Sequence, residues 1–141
     1  MTEHLLKVLL SWTVSLSQYN HPHTLPDIEY RDHAFFVETV CLNNSKCPIA
    51  AWYDNNGTIF LDERIKGHED AETRSLIVHE MTHYLQDLSG KYYGKTCDDH
   101  VYREREAYSV QRTYLKRIAQ VYIAIYQNYP PCSDAQRKLD G

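Results

Sequence analysis

No stretch of this 141-residue chain approaches the roughly 20 consecutive apolar residues that a membrane-spanning helix needs. The longest near its start, Leu5-Leu6-Lys7-Val8-Leu9-Leu10, is cut by a lysine, follows Glu3 and lacks a small-x-small cleavage site, so it does not read as a signal peptide. Positive charge is not in excess either: 15 Lys and Arg stand against 19 Asp and Glu, a net charge of -4. That balance gives no electrostatic reason for a polyanionic partner, and no nucleic acid is expected. Repeats are absent, as is any C-x-x-C pair, which argues against a zinc ribbon. With 43% apolar and 24% charged residues the composition fits neither a disordered nor a collagen-like chain.

What is present is enough for one globular domain with a buried core, spanning residues 1–141. The conspicuous counts are 12 Tyr and 8 His, and histidine is the commonest side-chain metal ligand. Four cysteines permit three disulfide connectivities. Cys41 and Cys47 flank a turn-like segment and suit a bridge that closes a hairpin, which leaves Cys97 and Cys132 to pair with each other. Paired cysteines favour an exported protein, periplasmic or secreted, with a signal peptide outside these residues.

Along the chain, Leu5, Leu9, Trp12, Leu16 and Tyr19 form the stripe of an amphipathic helix. Residues 21–27 hold two prolines and read as an extended connection. Ala34 to Val40, Ile49 to Tyr53 and Thr58 to Leu61 are rich in β-branched and aromatic residues, and Asp54-Asn55-Asn56-Gly57 supplies a turn. Two or three short antiparallel strands are expected. From about Asp70 to Ser89, Ile77, Met81, Tyr84, Leu85 and Leu88 recur at helical spacing, with Gly90 as a stop. A further long helix, capped by Asp98 or Asp99, carries Ala107, Gln111, Tyr114, Ile118, Val121 and Ile125 and ends before Pro130. Residues 133–141 lack periodicity and read as a frayed tail.

The chemistry concentrates in His79-Glu80-Met81-Thr82-His83, an H-E-x-x-H motif. Histidines four apart on a helix share a face and reach one metal ion, while Glu80 lies beside that ion and accepts a proton from a water. A catalytic zinc wants a third protein ligand. Glu104, Glu106 and His100 are the candidates. At about 100° per residue Glu104 falls near the buried stripe of Ala107 and Gln111, whereas Glu106 falls away from it and reads as a solvated charge. A carboxylate on a buried face needs a partner, which favours Glu104 and leaves Glu106 and His100 as alternatives. Among the tyrosines, Tyr92, Tyr93, Tyr102 and Tyr108 are candidate donors to an oxyanion, with packing the default role of each. Asp87 is a cap-region or supporting acid, or simply solvated.

These residues resemble the gluzincin-type zinc metallopeptidases, and in particular small minigluzincin-like families of unknown function. The resemblance rests on His79 to His83, followed by Leu85-Gln86, and on Glu104-Arg105-Glu106-Ala107-Tyr108, which is similar to an E-x-x-A-[D/N] signature except for Tyr108 at its last place. It implies an α+β, zincin-like fold: an N-terminal helix, a small antiparallel sheet, the HExxH helix, and a long C-terminal helix carrying the glutamate ligand. It also implies Zn2+ on His79, His83 and Glu104, Glu80 as the catalytic base, and a cleft bounded by an edge strand on which a peptide or protein substrate docks. Thr58 to Leu61 is the candidate for that strand, although a central position suits it equally. The leading expectation is thus a zinc-dependent hydrolase, a small metallopeptidase; the alternative is an inactive, zinc-stabilised binding or inhibitor module.

Overall fold

Helix α1 (Glu3–Ser17) begins where Thr2 accepts a hydrogen bond from the Leu5 N–H and ends where Gln18 turns left-handed. The computed structural model describes residues 1–92, 96–125 and 129–140. The buried face of α1 is Leu6, Leu9, Leu10 and Thr13, rotated from the expected stripe, so that Trp12 stays 39% exposed. Thr13 is tolerated inside because its hydroxyl donates to the Leu9 carbonyl at 2.7 Å.

The sheet is mixed rather than antiparallel. Strands β1 (Asp27–Arg31), β2 (Ala51–Tyr53) and β3 (Thr58–Asp62) lie in the order β1-β3-β2, with β3 parallel to β1 and antiparallel to β2. The expected strand over Ala34 to Val40 is instead helical: α2 (His33–Phe35), capped by Asp32, runs into a π-helical turn over Phe36–Val40. Topology outweighs β-propensity here. A parallel β1–β3 pair requires a crossover, and this helical segment begins it, with Phe36 fully buried as its anchor. Ile59 and Leu61 of β3 face the core, while Phe60 stacks on Trp52 and Phe35 on the outer face.

Helix α3 (Ala71–Ser89) runs through the middle. Asp70 caps it by accepting from the Thr73 N–H, and Gly90, at φ 73°, closes it. It packs against α1, β2 and α4 (Cys97–Thr113), so every residue from Ile77 to Gln86 is buried, while Glu72 in its first turn and Asp87 to Ser89 at its end, Leu88 included, reach solvent. Helix α4 is capped by Thr96, not by the aspartates after it, and passes into a π-helical turn, Tyr114–Ala119. The helix therefore stops well before Pro130.

Disulfides join Cys41 to Cys47 and Cys97 to Cys132. The first closes a loop leading from the crossover toward β2, not a β-hairpin. The second brings the chain end back to α4, where residues expected to fray form α5 (Asp134–Asp140). Polar contacts hold it: Asp140 accepts from the Cys97 N–H at 2.8 Å and Arg137 pairs with Asp98 at 3.2 Å. Among the described residues no helix is long and apolar enough to cross a membrane.

Candidate metal centre

The one-turn spacing of His79 and His83 on α3 and the inward face of α4 bring three side chains to one point. His83 Nε2 lies 2.8 Å from Glu104 Oε1 and His79 Nε2 lies 3.4 Å from Glu104 Oε2. One potential ligand atom from each of the three falls within 4.8 Å of the others. The histidines are nearly buried, at 7% and 6% exposure. Burial acts to raise the Glu104 carboxyl, but hydrogen bonds from both histidines and their charge hold it well below the usual carboxylate range.

The back of each imidazole decides what its front can do. His83 Nδ1 is 2.8 Å from Gln86 Oε1, and Gln86 Nε2 donates to the Arg103 carbonyl and to Glu106 Oε1, both at 3.0 Å. Those two partners only accept, so the carboxamide orientation is forced and His83 Nδ1 carries the hydrogen. His79 Nδ1 is 2.9 Å from Gln111 Oε1, while Gln111 Nε2 donates to Ser75 Oγ, whose own hydrogen goes to the Glu72 carbonyl. His79 is thereby fixed in the same tautomer. With Nδ1–H engaged from behind, each ring turns Nε2 toward the carboxylate, and a proton or a cation lies between the two. Ligand atoms around a tetrahedral zinc stand about 3.3 Å apart, given Zn–N distances of about 2.0 Å. The 2.8 and 3.4 Å separations bracket that spacing, and the donor set fits the ion.

Glu80 sits beside this cluster. Its Oε2 accepts the Tyr53 N–H of β2 at 3.1 Å, which leaves Oε1 unengaged by that bond. Burial first, and the Glu104 charge with it, push its carboxyl up to about 7, against the opposing pull of His79, the Tyr53 N–H and Arg103. The cleft over these residues measures about 500 Å³ and is walled by β2, by the approach to it from Val40 to Ile49, and by α4.

The other candidates fall elsewhere. Glu106 is not a solvated charge: it accepts from Tyr19 Oη, Gln86 Nε2 and Lys91 Nζ. His100 lines the cleft but is exposed and outside the cluster. Tyr108 packs edge-on to His79 in the cleft, centroids 4.5 Å apart. Tyr92 and Tyr102 pair with each other along a separate groove, and Tyr93 lies outside the described residues. Asp87 accepts from Tyr53 Oη at 2.7 Å. Thr58 to Leu61 is central, so the edge beside α3 is β2. Sequence reasoning missed Gln86, Gln111, Arg103 and Tyr129. A signal existed for two of them: Gln86 follows His83 by one helical turn and Gln111 lies on the buried stripe of Glu104.

Comparison with protein-family models, with curated proteins and with solved structures finds no match to this chain.

Proposed function

We propose that the chain is a zinc-dependent hydrolase of the gluzincin type, acting on peptide bonds. The observation that carries the reading is the convergence of His79 Nε2, His83 Nε2 and the Glu104 carboxylate, with both imidazoles fixed from behind so that Nε2 faces inward. Zinc, when bound, supplies a Lewis acid that activates water and polarises a carbonyl. The protein supplies the rest. Glu80, held through Oε2 by β2, takes the proton of the attacking water on Oε1 and delivers it to the leaving amine nitrogen. His79, His83 and Glu104 hold the ion against a wall of the cleft, whose other side stays open to an extended substrate. Two disulfides are consistent with work in an oxidising compartment, outside the cell or in a periplasm.

Elemental analysis of untagged protein tests this reading. We expect one equivalent of zinc in the wild type, lost in Glu104→Ala and retained in Glu106→Ala. Glu80→Gln should keep its zinc yet lose hydrolysis of a peptide mixture by about 10²–10⁴-fold. No zinc uptake at neutral pH overturns the proposal; zinc without hydrolysis in the wild type leaves a metal-stabilised binding module.

A further inference from the structure

The cleft holds one charge that the proposed chemistry does not use. Arg103 precedes Glu104 on α4 and lines the same cavity as His79, Glu80 and His83. Its backbone is pinned, because its carbonyl accepts from Gln86 Nε2. Its guanidinium is steered by one neutral contact, Nη2 to Asn55 Oδ1 at 2.8 Å. Asn55 sits in the β2–β3 turn at φ 60°, a conformation asparagine tolerates well, so the anchor is part of the hairpin. Among the described residues no carboxylate pairs with Arg103, whereas Arg31, Arg64 and Arg137 each have one.

The charge balance gives this vacancy a direction. Among the described residues, Glu80 and Glu104 are the only acidic ones lining the cavity. Glu104 meets His79 and His83, and neither carboxylate forms an ion pair with Arg103, so an ion held at the His79–His83–Glu104 point would add positive charge beside a guanidinium that no carboxylate of the cavity engages. A guanidinium offers five donors in a planar fork that matches a carboxylate, and one of them is committed here.

We propose that Arg103 is a specificity-determining residue that binds a carboxylate of the substrate close to the cleaved bond, so that the protein selects acidic peptides. The proposal rests on the hydrolase reading of the same site. The carboxylate has two possible sources, an Asp or Glu side chain or a free chain terminus. Hydrophobic residues of the opposite wall, among them Val40, Ile49 and Trp52, take the apolar side of the same substrate.

Three peptides decide between them: an N-acetylated, C-amidated peptide with one Asp, its Asn analogue, and that Asn analogue with a free C-terminal carboxylate. Binding is measured by calorimetry to zinc-loaded Glu80→Gln protein, and cleavage is measured separately with wild type. A charge-assisted, partly desolvated contact predicts that one of the carboxylate peptides binds about 10–100-fold more tightly than the neutral one. Arg103→Gln should bring that ratio close to one while still holding one equivalent of zinc, and Arg103→Glu should reverse it in favour of the neutral Asn peptide. Preference for the Asp peptide assigns the site to a side chain; preference for the free acid assigns it to a terminus. Equal binding of all three, or a preference that survives Arg103→Gln, overturns the proposal whether or not cleavage occurs. Selective binding with no cleavage by wild type overturns the hydrolase reading instead and leaves an acidic-peptide binding site.

Discussion

His79 and His83 face Glu104 with the same nitrogen and are held from behind by the same chemical group, yet their supports end in different places. Behind His79, Gln111 hands on to Ser75 and the Glu72 carbonyl, a neutral chain whose side chains are buried. Behind His83, Gln86 hands on to Glu106, and Glu106 to Tyr19 and to Lys91, whose side chain is 48% exposed. Both chains impose one tautomer. The inner one is insulated from solvent, so its strength is set by packing; the outer one runs through charges to the surface, so salt and neighbouring charges reach it. One histidine is thus braced by a buried neutral chain and the other by a chain that ends in surface charge.

The comparison breaks most visibly where a carboxamide is removed. Gln86→Leu strands the His83 Nδ1–H and takes one donor from the Arg103 carbonyl and one from Glu106, which keeps Tyr19 and Lys91, and we expect a stability loss of about 3 kcal/mol by urea unfolding of the metal-free protein. Gln111→Leu strands mainly the His79 Nδ1–H, because Ser75 keeps its bond to the Glu72 carbonyl, and should cost about 2 kcal/mol. Either variant should weaken zinc binding by about 10–100-fold in a chelator competition. Equal zinc affinity in wild type and both variants would show that these supports do not orient the rings.

Much of the front of this site was legible in the sequence, and little of its back. Periodicity and a glycine stop are local, so the span of α3 from about Asp70 and its end at Gly90 could be read directly, and the His79–His83 spacing is a property of one helix. Glu104 could be placed because helical angle and the cost of burying a carboxylate agree. For the glutamines the signal was one of position alone: Gln86 lies one turn after His83 and Gln111 on the stripe of Glu104, but their partners are set only when α3 and α4 pack together. Glu106 was misread for the same reason, since its partners Tyr19 and Lys91 are remote from it in sequence. The strand β1 alternates Ile28 and Tyr30 with charged residues, but its parallel pairing with β3 depends on a crossover that no local pattern encodes. The helical fate of Phe36–Val40 follows from that crossover, and α5 depends on contacts with Asp98 and Cys97 far back in the chain.

A smaller perturbation separates the two supports by charge rather than by shape. Glu106→Gln keeps the size of the side chain but turns the Gln86 and Tyr19 contacts into neutral hydrogen bonds. We expect a loss of about 1 kcal/mol and a few-fold change in zinc affinity, measured by thermal unfolding and by the same competition. Tyr19→Phe, which removes one of these donors and leaves the carboxylate, should cost slightly less. Glu106 also lies on the face where α1 meets α4, so either variant loosens that contact as well as the histidine.

The smallest effect is the most diagnostic. Lys91 Nζ lies 3.0 Å from Glu106 Oε2 and over the rings of Tyr19 and Tyr92, at 5.4 and 5.1 Å from their centroids. Exposed pairs of this kind contribute about 0–1 kcal/mol, so Lys91→Met should lower stability by about 0.5 kcal/mol at low salt. Raising salt to about 1 M shortens the screening length to about 3 Å and should erase most of that difference, whereas the cost of Gln111→Leu should not change. Zinc affinity should stay within twofold of wild type at either salt, because three hydrogen bonds, with the Glu106 carboxylate and the Gln86 carboxamide between them, separate Lys91 from His83. A tenfold change in Lys91→Met, sensitive to salt, would mean that surface charge passes through Glu106 and Gln86 to the imidazole, and the outer support would then be a conduit rather than a brace.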